Sequence, residues 1–289
     1  MKDSRKCTLL FPFVLLLLTL PLCAFDWPQE LIIPHSFSSY FAQKRGSSFS
    51  TSLIFTGSVP VKASDSGRVI VRIDQNSSSF ISFPSTLGNA VILSHKDSLM
   101  TVYASLDSIQ ITADRKEITA GEELGISGNS GWHTGPGCLE FQVIDVKNKT
   151  CINPLLLMPS ISANFDLQLG KLFIADKKGT MVDLSIKKSF ESGMYILYRD
   201  AASGGMPYKT SVTVNGALVQ TITYDALSLY EQQLCVSSKK NLPYSEVYPQ
   251  DTLQYLAELH LNKGKNSITV QVFDILGNQK QSSFNVEVF

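Results

Sequence analysis

Apolar and polar residues alternate in short runs along most of the chain from residue 50 onward. Residues 139–146 (LEFQVIDV) are one example, and residues 69–73, 90–93, 99–104 and 124–127 also have the composition of strands. Alternation with a period of two is typical of β-strands, because successive side chains point to opposite faces. No long stretch has the 3.6-residue period of an amphipathic helix. We therefore expect an all-β protein.

The second half repeats this pattern in a different sequence. Residues 257–261, 268–272 and 284–288 each alternate between apolar and polar side chains. Such strands have one buried and one solvated face, as in an antiparallel β-sandwich. The pair Asn215-Gly216 supplies the positive φ angles of a type I′ turn, and so predicts a tight hairpin.

The length of 289 residues is sufficient for two domains. We place the first domain at residues 25–160 and a β-sandwich domain at residues 161–289. The loop at residues 274–278, DILGN, resembles the Asp-x-x-Gly-Asn loop of bacterial immunoglobulin-like domains. Residues 230–251 have no clear pattern, and we interpret them as a long loop or an insertion.

The N-terminus has the pattern of a secretory signal. Basic residues precede an apolar run at residues 9–20, which is too short to span a bilayer comfortably. We therefore interpret residues 1–24 as a signal peptide and expect an exported protein. A lipid on Cys23 and an uncleaved segment that anchors the protein are alternatives, although the bulky Leu22 disfavours lipidation.

Composition excludes some classes of function. The chain has 25 basic and 25 acidic residues, so its net charge predicts no nucleic-acid partner. An apolar fraction of 44% with only 17% charged residues favours a packed globular protein over a disordered one. Beyond the signal segment the chain has Cys138, Cys151 and Cys235. One disulfide with one thiol, or three thiols, are both compatible with this odd number.

Several short motifs occur along the first half of the chain, and their order and spacing are informative. Residues 128–136 read GNSGWHTGP, residues 101–106 read TVYASL and residues 88–95 read GNAVILSH. Residues 59–69 (VPVKASDSGRV) precede them, and Asn-Pro follows at 153–154. Together these motifs resemble the M23 (LytM-type) peptidases, a β-sheet family that cleaves peptidoglycan cross-bridges with a zinc ion.

The resemblance implies that the catalytic machinery is missing. The family holds zinc with a His, an Asp four residues later and the last His of a His-x-His pair, and uses two further histidines in proton transfer. In this chain the first two ligand positions correspond to Phe49 and Leu53. The histidine of the TLYAHL motif corresponds to Ser105. The His-x-His pair corresponds to Cys138 and Glu140, or to the residues one position earlier in a second alignment.

Two alternatives remain at these positions. Cys138 and Glu140 lie two residues apart on a strand, so both point to one face and, with His133, could form a rebuilt zinc site. The other interpretation is a solvated Glu140 and a partly buried Cys138, with no metal. Trp132, His133 and Glu140 are also candidates for binding a ligand in the groove. We interpret His95 as a hydrogen-bonded structural residue and His260 as a surface residue.

We expect an exported, catalytically inactive M23-like protein of the bacterial cell envelope. The resemblance implies peptidoglycan, a cell-wall amidase or another envelope protein as the partner. A zinc endopeptidase with substituted ligands is one alternative, and a structural scaffold of the envelope is another.

Overall fold

A computed structural model describes residues 25–30, 32, 36–75, 85–131, 137–161, 167–201 and 206–289. These residues are mostly β-structure, which confirms the predicted all-β class. The only α-helix among them is α1 (Tyr244–Val247), and short 3₁₀ turns lie at Lys96–Ser98 and Pro154–Leu156. The strands of the first half are β1 (Phe37–Ser39), β2 (Lys44–Arg45), β3 (Ser48–Phe49), β4 (Leu53–Thr56), β5 (Pro60–Lys62), β6 (Gly67–Ile73), β7 (Asn89–Ser94), β8 (Leu99–Ile109), β9 (Glu117–Ile118), β10 (Glu123–Ser127), β11 (Cys138–Asp145) and β12 (Thr150–Ile152). The strands of the second half are β13 (Leu172–Ala175), β14 (Met181–Asp183), β15 (Ser189–Phe190), β16 (Gly193–Asp200), β17 (Lys209–Val214), β18 (Ala217–Thr223), β19 (Ala226–Tyr230), β20 (Gln233–Ser237), β21 (Asn241–Pro243), β22 (Leu253–Leu261), β23 (Gly264–Phe273) and β24 (Gln279–Val288).

Within the described residues, thirteen strands form one large sheet. Its main path runs in the order β21-β20-β19-β12-β11-β8-β7-β6-β9. Strands β4 and β1 join it through β11, and β10 and β5 join it through β8. Strand β11 lies near the middle of this sheet and is paired along both edges. A side chain on β11 therefore has a fixed position relative to β4 and β8.

Alternation along β11 gives the sheet its two faces. Leu139, Phe141 and Val143 are fully buried and belong to the main apolar core of the first half. Cys138 and Glu140 point to the opposite face, because neighbouring strand residues alternate. Each buried aromatic or aliphatic side chain of this core contributes about 1.5–3 kcal/mol through removal of apolar surface from water.

The second half contains a two-layered sandwich, as predicted. One sheet has the order β14-β13-β16-β22 and the other has the order β15-β24-β23-β17-β18. Apolar side chains from both sheets, such as Leu197 and Leu259 from the first and Val212 and Val270 from the second, form one core. The pairings are antiparallel apart from β15 with β24. The more specific immunoglobulin-like assignment stays a prediction.

The predicted Asn-Gly hairpin is confirmed. Val214 pairs with Ala217 across a two-residue turn, and Asn215 and Gly216 have φ angles of 52° and 80°. These left-handed conformations match the type I′ turn that links twisted antiparallel strands.

The segment at residues 230–251 differs from the loop or insertion that we expected. It contains β20, β21 and α1, and β19 precedes it directly. Strand β19 pairs with β12, so this part of the second half extends the sheet of the first half. Short strands of this kind have a weak local signal, because the partner strand lies about 75 residues away in the sequence. The predicted boundary at residue 160 stays a prediction, and the large sheet crosses it.

Some predictions concern residues outside the described ranges. These are the signal segment with Cys23, and the groove candidates Trp132 and His133. Among the residues that are described, no helix has the length and apolarity needed to cross a membrane.

Candidate functional site

Glu140 is a buried carboxylate at the centre of the large sheet. It pairs with Ala104 of β8 on one side and with Ile54 of β4 on the other. Only 6% of its surface is exposed. A carboxylate at this depth loses most of its hydration, so charged or polar partners in the protein must replace the water.

Arg45 is the main partner of Glu140. The guanidinium donates two parallel hydrogen bonds, from Nη1 to Oε1 at 2.6 Å and from Nη2 to Oε2 at 2.9 Å. The hydroxyl of Ser52 donates to Oε1 at 2.9 Å, and the amide of Gln142 donates to the same oxygen at 3.1 Å. Both carboxylate oxygens therefore accept hydrogen bonds, in the bidentate geometry that is typical of arginine–carboxylate pairs.

Arg45 and Glu140 each stabilise the ionised form of the other. Burial acts to raise the pKa of Glu140, but the hydrogen bonds and charge of Arg45, together with Ser52 and Gln142, bring it below its ordinary value. The hydrogen bond to Glu140 raises the pKa of Arg45 in turn. The pair is therefore ionised at neutral pH.

A tight hairpin places Arg45 over the sheet. Strands β2 and β3 pair through Lys44 with Phe49 and Arg45 with Ser48. Gly46, at the turn, has a φ of 62°, a left-handed conformation that glycine adopts without steric cost. This hairpin, residues 44–49, is called the arginine hairpin below.

The second half of the chain holds the arginine hairpin in place. The hydroxyl of Tyr244 donates a hydrogen bond to the carbonyl of Gly46 at 2.9 Å. The ring of Phe49 packs edge-on against Tyr244 and Tyr248, with centroid distances of 5.5 and 6.0 Å. Lys44 forms an ion pair with Asp251. The residues that place Arg45 beside Glu140 therefore include the region around α1.

Cys138 and Ser105 form a second contact on the same face. The two side chains are hydrogen-bonded, and both residues are buried. Burial raises the pKa of the Cys138 thiol above its ordinary value, so the thiol form is favoured at neutral pH. Ser105 has a φ of 65°, which is unusual for a residue other than glycine. No disulfide joins Cys138, Cys151 and Cys235 in the described part of the chain.

The structure brings only some of the predicted positions together. Cys138, Glu140 and Ser105 lie on one face, whereas Leu53 is fully buried in the main core. Phe49 packs into the apolar cluster shared with the second half. Ser52, one residue before Leu53, is the residue of this segment that contacts Glu140. A shift of one position on a strand exchanges the two faces, which accounts for the difference from the sequence alignment.

Comparisons with known proteins agree with this architecture. A model of peptidase family M23 matches residues 48–154, and a second family model without a descriptive name matches residues 166–289. An uncharacterized protein of Treponema pallidum (strain Nichols) is 33% identical over 122 residues, which cover 38% of this chain and 80% of that protein. Residues 48–154 of the chain belong to peptidase family M23.

Two solved structures are similar to part of this chain at low identity. A zinc-containing peptidase from Vibrio cholerae is 21% identical with a TM-score of 0.37, and the match covers 46% of this chain and 39% of the peptidase. The chain thus spans well under half the length of that peptidase. The complex of SpoIIIAH and SpoIIQ contains a chain that is 22% identical with a TM-score of 0.37, and the match covers 46% of this chain and 99% of that one.

The described side chains at the M23 site do not fit a catalytic zinc ion. Such an ion needs three protein ligands and an open position for water. Both oxygens of Glu140 bind the cationic Arg45, and Cys138 is a thiol with a raised pKa rather than a thiolate. Ser52 and Ser105 offer only hydroxyl groups. Within the described ranges, no group of three or more His, Cys, Asp or Glu side chains is arranged to hold a metal.

The described histidines outside this site have structural surroundings. The ring nitrogens of His95 lie 3.0 Å from the carbonyl oxygen of Ser66 and 2.7 Å from the hydroxyl of Thr101, which confirms a hydrogen-bonded residue. His260 is exposed on β22, as predicted. Sequence reasoning missed Arg45 and Ser52. The alternation of apolar Leu53 and Phe55 indicates that both face the core, so Ser52 could have been placed on the opposite face with Glu140. Nothing in the local sequence of Arg45 indicates its contact with Glu140.

Proposed function

We propose that this chain is an exported, catalytically inactive M23-like protein of the bacterial cell envelope, and that it binds peptidoglycan or regulates a cell-wall hydrolase. The observation that carries the proposal is the bidentate ion pair of Arg45 with Glu140. An arginine cation placed on the carboxylate repels a divalent metal and occupies the oxygens that a metal needs.

The serine that replaces a proton-transfer histidine, Ser105, also supports an inactive protein. Zinc hydrolases activate a bound water and move its proton with a nearby base. Ser105 stands at one of those base positions and is hydrogen-bonded to Cys138. A serine hydroxyl is not a base at neutral pH unless another group activates it. The chemistry of these described side chains therefore supports a site without the metal ligands and the base of a peptidase.

The sheet face around the Arg45–Glu140 pair could bind a ligand or a protein partner without cleaving it. Ile54, Thr56 and Gln142 are partly exposed on the face that carries the Arg45–Glu140 pair. Arg45 neutralises the buried charge of Glu140 at the centre of this face, so that carboxylate does not need a metal ion as its partner. A preformed sheet face of this kind suits a ligand or protein partner, because little order must be gained on binding.

Metal content and turnover test the inactive state. We expect purified protein comprising residues 25–289 to contain no stoichiometric zinc and to release no cross-bridge peptides from purified sacculi, with or without added zinc. Stoichiometric zinc that disappears in Glu140→Ala, together with cleavage that a chelator inhibits, would establish the alternative of a substituted zinc endopeptidase.

Two further assays separate the proposed roles from a purely structural one. Cosedimentation with sacculi measures peptidoglycan binding, and the rate of sacculus digestion by an envelope amidase measures regulation. We expect wild-type protein to do at least one of these. A protein that neither binds sacculi nor changes the hydrolase rate, but copurifies with other envelope proteins, would support the scaffold alternative instead.

A further inference from the structure

One end of the sandwich has a concentration of exposed lysines. The turn between β13 and β14, the segment between β14 and β16, and the turn between β22 and β23 meet there, because Ala175 pairs with Ile196, Gly193 pairs with Leu261 and β15 pairs with β24. The exposed lysines of these loops are Lys177, Lys178, Lys187, Lys188 and Lys263, and the exposed Lys265 lies at the start of β23. Since the whole chain has equal numbers of basic and acidic residues, this cluster is not a result of overall composition.

Three of these lysines surround a cleft with a volume of about 670 Å³. Lys177 and Lys178 line it from the β13–β14 turn, and Lys187 lines it from the segment between β14 and β15. The Nζ atom of Lys187 lies 5.2 Å from the ring centroid of Phe190, so its ammonium is held over an apolar wall of the cleft. Thr180, Ser189 and Ser192 also line the cleft. We call this site the lysine cleft.

Acidic residues compensate only part of this charge. Asp176 lines the cleft, but its Oδ1 accepts hydrogen bonds from the backbone amides of Lys178 at 2.8 Å and Thr180 at 2.9 Å. This carboxylate therefore stabilises the turn that carries the two lysines. Glu191 also lines the cleft and is exposed. The hydroxyl of Ser192 donates to the carbonyl of Leu261 at 3.1 Å, and the side chain of Thr180 is hydrogen-bonded to Asp176. Three ammonium groups and the hydroxyl of Ser189 therefore remain as donors of the kind that bind a phosphate group.

An exposed apolar residue directly precedes one of the lysines that line the cleft. Ile186 is 80% exposed and directly precedes Lys187 and Lys188. At the surface of an anionic membrane, lysines contact the headgroups and a neighbouring exposed apolar side chain can enter the interface. A free phosphate ion would explain the lysines but not Ile186.

We propose that the lysine cleft binds the phosphate of an anionic phospholipid headgroup, and that Ile186 inserts into the membrane interface beside it. This inference goes beyond the proposed function, because it concerns the end of the sandwich and not the M23 site. It gives the protein a second contact in the envelope, and its failure would leave the role of the M23 site unaffected.

Vesicle cosedimentation of residues 25–289, which contain every described element, tests the proposal. We expect binding to vesicles of phosphatidylcholine mixed with phosphatidylglycerol and no binding to phosphatidylcholine alone. The triple variant K177Q/K178Q/K187Q should bind the anionic vesicles about a hundredfold more weakly, since each lysine near such a surface strengthens binding by about fivefold. The matched control K96Q/K116Q/K147Q removes three exposed lysines of the first half and should bind like the wild type.

A second variant distinguishes a lipid from a soluble phosphate. Ile186→Ser should weaken vesicle binding by about fivefold, because less apolar surface enters the interface, and should leave protection of the protein by inorganic phosphate in thermal melts unchanged. Equal binding by the two triple variants, equal binding to neutral and anionic vesicles, or protection by inorganic phosphate without vesicle binding would each overturn the proposal.

Discussion

Arg45 and Glu140 form a two-pronged ion pair across 95 residues of sequence, with nitrogen–oxygen distances of 2.6 and 2.9 Å. The carboxylate side of this pair is 7% exposed, whereas the arginine side chain is 40% exposed. Water can therefore reach the arginine but hardly reaches the carboxylate. This asymmetry makes the consequences of removing each partner different.

Arg45→Ala should lower the free energy of unfolding by about 1–3 kcal/mol, because the buried carboxylate of Glu140 keeps only Ser52 and Gln142 as donors. Partial exposure of Arg45 to water keeps this loss below that of a fully buried ion pair. Urea denaturation at neutral pH measures the change in free energy of unfolding. The matched control is Arg115→Ala, whose partner Glu122 belongs to a more exposed pair and whose loss should be under about 1 kcal/mol. Equal losses for the two variants would contradict a structural role for Arg45.

The pKa of Glu140 predicts how stability depends on pH. Its folded-state pKa is lowered by Arg45 against the opposing effect of burial, relative to an unfolded value of about 4.3. A group with a lowered folded pKa contributes stability above its unfolded pKa, and this contribution is lost as pH falls through the folded pKa. We therefore expect the wild type to lose stability below about pH 4 more steeply than Glu140→Gln.

Urea denaturation of both proteins between neutral and acidic pH measures this difference. Other carboxylates of the chain, among them Glu122 and Asp145, also have lowered pKa values, so only the difference between the two proteins reports on Glu140. Parallel stability curves for the wild type and Glu140→Gln would show that Glu140 has the same pKa in the folded and unfolded states.

The sequence was sufficient for the fold class and for part of the site. Period-two alternation and the Asn215-Gly216 pair identify strands and a hairpin, because these signals are local. Glu140 and Cys138 could be placed on one face for the same reason. Arg45 could not be placed, since its position depends on a hairpin held by Tyr244 and Asp251, about 200 residues away. The pairing of β12 with β19 is equally non-local.

The faces of the segment before β4 give a direct test of register. Leu53 is fully buried in the core, and Ser52 points to Glu140. Leu53→Ala should cost about 2–5 kcal/mol through lost packing and a cavity. Ser52→Ala should cost only about 1 kcal/mol, because one hydrogen bond to a carboxylate is lost while Arg45 remains. A larger loss for Ser52→Ala than for Leu53→Ala in urea denaturation would contradict this arrangement.

The sheet that joins the two halves predicts cooperative unfolding. Strand β12 pairs with β19, and Phe41 and Phe49 share a core with Leu227 and Tyr248. Separation of the halves would expose this core and the unpaired edge of β12. Residues 25–289 should therefore unfold in a single calorimetric transition, with the van't Hoff enthalpy equal to the calorimetric enthalpy.

Leu227→Asp provides the matching perturbation, because Leu227 is fully buried where β19 meets β12. A charge at this position should weaken the junction and lower the stability of both halves together, by several kcal/mol in order of magnitude. Leu229→Asp is the control, since Leu229 lies on the same strand but is 51% exposed, and should change stability by less than about 0.5 kcal/mol. The contrary outcome is two separate transitions in the wild type, of which Leu227→Asp shifts only one. It would show that the halves unfold independently, and that the stability of the arginine hairpin does not depend on the second half.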